Sequence, residues 1–109
     1  MQNSINNEIF EKANEWVVAN QKVVIITVIQ TWGSSPKPIG SKMIVNENGN
    51  FFGSVSAGCV ESTVIKDSLE IIHKNILFKK KNFEVSDENA WEVGLSCGGK
   101  LTIYLEMID

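Results

Sequence analysis

Residues 23–31, Val-Val-Ile-Ile-Thr-Val-Ile-Gln-Thr, make a nearly continuous run of β-branched apolar side chains. Branching at Cβ favours extended backbone, and an apolar run without alternation belongs to a strand buried on both faces. The run is far too short to cross a bilayer. Trp32-Gly33-Ser34-Ser35-Pro36-Lys37-Pro38 ends it, because two prolines forbid a regular ladder.

The rest of the chain arranges itself around that strand. Ile5, Ile9, Phe10, Ala13, Trp16 and Val17 recur at helical spacing, which predicts an amphipathic helix over 4–20 with Ser4 as a possible N-cap. A short strand over 42–45 and a returning strand over 51–56 flank Asn46-Glu47-Asn48-Gly49-Asn50, a hairpin turn. Val60, Val64, Ile65, Leu69 and Ile72 supply the apolar stripe of a second helix, from near Gly58 to about His73. Residues 76–85 read as a strand, with Lys79-Lys80-Lys81 solvated at its middle. Asp87 can cap a short third helix through Ala90 and Trp91. Residues 94–99 form a loop and 100–107 a closing strand. The expected class is α/β or α+β, with a mixed sheet of about five strands, two main helices and a short third. We expect one domain over 1–109, with no repeat and no linker.

A formal net charge of −3 argues against nucleic-acid binding through a global basic field. All ten cations are lysines, so any phosphate would be held by point charges, backbone N–H groups and hydroxyls, without a guanidinium fork. Residues 1–20 are polar and amphipathic and lack a secretory signal pattern, and no segment suits a membrane. The two cysteines make no disulfide framework and suggest free thiols in a reducing, cytoplasmic setting.

Three segments are rich in small residues: 33–40, 54–61 and 94–99. Glycine is costly in backbone entropy, so three such loops suggest close approach to something, although tight turns alone can demand glycine. Ser56-Ala57-Gly58-Cys59 stands at an expected strand-to-helix junction. A helix start presents unpaired N–H groups and the positive end of the dipole, which suits an anion and enhances thiolate character at Cys59. Glu61, in the first turn, can cap the helix or pass protons to a ligand. Cys97 stands between Ser96 and Gly98-Gly99, which leave its sulfur open. Either cysteine alone could equally be a small buried hydrophobe. Two cysteines do not complete a zinc site, and His73 suits the end of a helix. Trp32, beside the first loop, could stack on a ligand.

The segments TWGSSPKPIGSKMIV, GSVSAGCVES and WEVGLSCGGKLTIYLE, taken in order and spacing, resemble the N-terminal domain of XdhC/CoxI-family proteins, from about Val23 to Met107. Members of that family act as maturation factors of xanthine dehydrogenase and related molybdenum hydroxylases. The resemblance implies that such a chain binds molybdenum cofactor (molybdopterin), supports its sulfuration with a cysteine desulfurase, and delivers it to an apo-molybdoenzyme. It implies cofactor-binding positions at Gly33, Ser34, Pro36, Lys37 and Gly40, at Ser56, Gly58, Cys59 and Glu61, and at Cys97, Gly98 and Gly99. Cys59 and Cys97 are the implied contacts to the metal or cofactor. A pterin dithiolene that carries a phosphate suits an anion-friendly helix start and soft sulfur ligands. Ala57 stands where the family often has glycine, and Lys37 where it often has arginine. Full-length members add a C-terminal Rossmann-like domain, and no G-x-G-x-x-G fingerprint is found in this chain. A separate Rossmann-domain partner chain or a homodimer would then complete the assembly. Two other readings stay open at this level: an interaction module without a ligand site, and a thiol-dependent sulfur carrier or redox protein. Conventional turnover is not expected, since a single histidine at a helix end offers no Ser-His-Asp set.

Overall fold

The computed structural model describes residues 2–32, 37–56, 60–84 and 100–108. Its elements run α1 (Gln2–Val18), β1 (Val23–Trp32), β2 (Lys42–Asn46), β3 (Phe51–Gly53), α2 (Glu61–Lys74), β4 (Phe78–Glu84) and β5 (Lys100–Ile108). One five-stranded sheet has the order β3-β2-β1-β5-β4. The two helices and five strands match the expected class. Every pairing is antiparallel, whereas a mixed sheet was expected. The reason is the connectivity. β1, β2 and β3 form a meander, and β5 returns beside β1 in the opposite direction without a parallel crossover. The short third helix falls outside the described residues.

β1 is the central strand, and its apolar run explains why. Val24, Ile26 and Val28 face α2 and are fully buried with Met43, Val45, Val64, Ile103 and Leu105. Val23 faces the other way, into a smaller cluster with Ile9 and Ala13 of α1 and Ile44 of β2. The strand is therefore covered on both faces at its start. Past Val28 a bulge shifts the register, and Ile29 becomes 40% exposed. α1 packs over the β1–β2 side of its face.

Both helices stop at an asparagine. Asn20 and Asn75 adopt left-handed backbone (φ 66° and 57°), which asparagine tolerates better than most residues. Gln21 N–H then donates to the Trp16 carbonyl, and Ile76 N–H to the Ile71 carbonyl, each at 3.0 Å. α1 already includes Ser4, so that residue is no N-cap. In the β2–β3 turn, the Asn46 side-chain oxygen accepts from the N–H groups of Asn48 and Asn50, both at 3.0 Å.

The three lysines of β4 do not share one fate. Lys80 is exposed, but Lys81 turns to the α2 side and pairs with the buried Asp67. This contact pins α2 to an edge strand that contributes only Phe83 to the buried core. Replacing Lys81 by Met would strand the Asp67 carboxylate, and the expected loss is about 2 kcal/mol in urea unfolding. A double variant with Asp67→Asn should recover at least half of it; no recovery would refute the coupling.

Candidate functional site

The bend between β3 and α2 is built around one carboxylate. Glu61, the first residue of α2, is 9% exposed. Its Oε2 accepts from Ser54 Oγ at 2.5 Å and from the N–H groups of Val55 and Ser56, each at 3.0 Å. Its Oε1 accepts from Ser56 Oγ. That hydroxyl oxygen in turn accepts from Val60 N–H at 2.9 Å. Val55 and Val60 flank this network and are buried in the main core. Removing this stretch of chain from water requires partners for its polar atoms, and Glu61 with Ser56 supplies them.

The electrostatics follow from these contacts. Burial on its own raises the Glu61 pKa, but the hydrogen bonds from Ser54, Ser56 and Val55 outweigh it and hold the group at about 2. The carboxylate is therefore ionised throughout the physiological range, and a proton-passing role is not what this environment produces. The helix also begins later than expected, at Glu61 instead of near Gly58. Val60 is the N-cap, with φ −125° and ψ 5° and no side-chain cap. Glu61 reaches back past the helix start to the bend.

The first loop joins the core through its last residues. Gly40 N–H donates to the Val28 carbonyl at 2.8 Å, and Val28 N–H to the Ser41 carbonyl at 2.9 Å. Gly40 has φ +94°, yet a Cβ there would touch nothing within 4 Å. Its glycine serves the turn, and no close backbone approach is involved. Lys37 is partly buried.

Strand register brings the described strand ends that flank the three segments to one end of the sheet. The C-terminal end of β1 pairs with the start of β5 through Trp32 and Lys100. β2 starts beside Thr27 of β1, and β3 ends beside Met43 of β2. The chain therefore leaves toward 33–36, leaves toward 57–59 and arrives from 97–99 at the same end. The β1–β5 ladder runs about 16 Å further than the start of β2, given roughly 3.3 Å per residue. Of the residues singled out in the sequence, Lys37, Gly40, Ser56 and Glu61 are described. Gly33, Ser34, Pro36, Gly58, Cys59, Cys97, Gly98 and Gly99 lie outside the described residues, as does the Trp32 side chain.

Sequence reasoning missed Ser54 as a partner of Glu61. The signal was present as Ser-Val-Ser shortly ahead of the only glutamate near the helix start. Among the described residues, no cluster of three or more His, Cys, Asp or Glu side chains can hold a metal. His73 is exposed in the last turn of α2, as expected for a residue favoured by the dipole. No helix among the described residues is long and apolar enough to cross a membrane.

Fold and bend together define a small α+β domain: a five-stranded antiparallel sheet between two helices, with a serine- and glutamate-locked bend before the second. The sequence profile of the XdhC and CoxI family matches residues 16–77, and the chain belongs to that family. It is 28% identical over 97 residues to the molybdenum cofactor insertion chaperone PaoD of Escherichia coli K12, covering 88% of this chain and 30% of that protein. It is 24% identical over 90 residues to a probable xanthine dehydrogenase subunit of Bacillus subtilis 168, covering 81% of this chain and 27% of that protein. The crystal structure of a xanthine dehydrogenase from Bacillus halodurans superposes with a TM-score of 0.74 at 27% identity, over 91% of this chain and 30% of that one. The chain thus spans less than a third of the length of these relatives.

Proposed function

We propose that this chain takes part in the maturation of a xanthine dehydrogenase-type molybdoenzyme, with molybdenum cofactor as its cargo. The observation that carries the reading is the Glu61-anchored bend. It fixes the chain at Ser56 and again at Val60, at the end of the sheet where β1 stops at Trp32 and β5 starts at Lys100. Membership of the XdhC and CoxI family and similarity to a cofactor insertion chaperone support it. In this reading Cys59 and Cys97 supply soft sulfur contacts to the cargo. Gly33, Ser34, Pro36, Lys37, Gly40, Gly58, Gly98 and Gly99 shape the surrounding loops, and Ser56 and Glu61 hold the frame. Support of sulfuration with a cysteine desulfurase, delivery to the apo-enzyme, a cytoplasmic setting, and completion by a Rossmann-domain chain or a second copy belong to the same proposal.

The test is retention of cofactor. Purified protein mixed with molybdenum cofactor should carry pterin fluorescence and molybdenum through gel filtration. A Cys59→Ser, Cys97→Ser double variant should lose at least 90% of both while keeping its unfolding midpoint. Equal retention by the variant would remove the thiols from the account, and no retention by the wild type would remove the cargo.

A further inference from the structure

The turn between β2 and β3 contains Asn48-Gly49, the chain's only Asn-Gly pair. In such a pair the glycine nitrogen can attack the preceding side chain, because no Cβ on glycine blocks the approach. Gly49 N bonds to Asn48 Cγ, the Cγ–Nδ2 bond breaks, and the Gly49 amide proton leaves with Nδ2 as ammonia. Water then opens the resulting cyclic imide at either carbonyl, which leaves aspartate or isoaspartate at position 48. Water is the only co-reactant, and Asn48 is exposed to it.

The contacts that oppose this step all go to Asn46. Gly49 N–H donates to the Asn46 carbonyl at 3.0 Å. The N–H groups of Asn48 and Asn50 donate to its side-chain oxygen, both at 3.0 Å. Asn46 is fully buried, and its Nδ2 donates to Gln21 Oε1 at 2.8 Å, which fixes the orientation of its amide. Gly49 is half-buried with φ +84°, and a Cβ there would lie 3.8 Å from Leu69 Cδ1 of α2. Its nitrogen reaches Asn48 Cγ only after the peptide plane turns, which breaks the bond to Asn46. We propose that Asn48 is a self-modification site of this protein, losing ammonia to become aspartate or isoaspartate, and that Asn46 is the clasp that sets its rate. Attack then proceeds from the locally opened turn, in proportion to the open fraction. Isoaspartate adds a methylene to the main chain within the turn, so the N–H groups of 48 and 49 no longer both meet Asn46. β3 holds only three pairs with β2 and leads directly to Ser54, a partner of Glu61. Modification at Asn48 therefore loosens the Glu61 bend.

Peptide mapping by mass spectrometry tests it, on protein held at neutral pH beside a synthetic peptide of residues 45–52. Product at Asn48 should form about tenfold more slowly in the protein than in the peptide, the size of the net hydrogen bonds lost on opening. Protection of the Gly49 amide from hydrogen exchange, measured on the same protein, should match that retardation within about threefold. Asn46→Ala should bring the rate to within about threefold of the peptide's. Asn46→Asp, which keeps a side-chain acceptor, should stay near wild type. The modified protein, separated by its added negative charge, should unfold at a midpoint lower by about 4 °C. No product at Asn48 in either the wild type or the Asn46→Ala variant would overturn the site. A wild-type rate equal to the peptide's, or equal rates in the wild type and the Asn46→Ala variant, would overturn the clasp. If Asn46→Ala does not fold, the comparison of amide protection with retardation decides by itself. An unchanged midpoint would overturn the link to the bend. None of these measurements involves the cysteines or the cofactor, so they stand apart from the cargo reading.

Discussion

Replacing Glu61 with Gln is expected to lower the thermal unfolding midpoint by about 10 °C at pH 7. The carboxylate is held at about 2 against an ordinary value of 4.5, and a difference of that size corresponds to about 3 kcal/mol of folding stability when the group is ionised. Glutamine keeps the shape but presents one NH₂ to a set of donors, so Ser54 Oγ, Ser56 Oγ and two backbone N–H groups compete for a single carbonyl oxygen. For a domain near 100 residues, each kcal/mol moves the midpoint by roughly 4 °C. The sign of the pH dependence follows. A carboxylate with a depressed folded pKa contributes fully above about 4.5, and its contribution fades as pH falls toward about 2. The difference in urea stability between wild type and E61Q should therefore be constant from pH 7 to about 5 and shrink toward zero at pH 2. A difference that stays unchanged down to pH 2 would show that the carboxylate charge is not what holds the bend. The same variant should lose cofactor retention, because Ser56 and Val60 would no longer fix both ends of 57–59.

How much of this was legible before the fold was known depends on the range of the interaction. The apolar run of β1 announced the central strand because burial on both faces leaves no polar position to alternate. The Asn46–Asn50 turn was legible because side-chain and backbone contacts close within four residues. The start of α2 was misplaced by three residues. A small-residue stretch before an apolar stripe suits a helix start by sequence, yet the buried carboxylate captured the bend's own N–H groups and delayed the helix to Glu61. Glu61 itself was read as a cap or proton carrier. Choosing between these required knowing that four donors converge on it, which is a tertiary fact. Antiparallel pairing throughout was equally hidden, since β5 finds β1 across most of the chain's length. The register shift between Val28 and Gln30 was hidden as well, since nothing near Ile29 advertises a bulge.

The second large effect is expected at Gly53. Substitution by alanine should cost about 3 kcal/mol or more and release β3 from the sheet, where it holds only three pairs with β2. Gly53 has φ +87°, a region in which a Cβ carries a penalty of roughly 1–2 kcal/mol. The local space adds more. A Cβ built there falls 2.6 Å from the Lys42 carbonyl oxygen, 3.0 Å from Ile9 Cδ1 and 3.2 Å from Met43 Cα. The Ile9 side chain can rotate away, but the Lys42 carbonyl is backbone of a paired strand and accepts from Ser54 N–H at 3.2 Å. Any shift of that carbonyl pulls on Ser54, and through Ser54 Oγ on Glu61. Gly40 provides the control. It has nearly the same backbone angle but open space at its Cβ position, so Gly40→Ala should show the conformational penalty alone. Urea unfolding of the two variants should separate them by at least 1 kcal/mol. In G53A, the amide signals of Phe51, Phe52 and Ser54 should lose their native positions. Equal destabilisation at the two glycines would mean that the close approach of β3 to β2 contributes nothing, and that the bend stands on Glu61 alone.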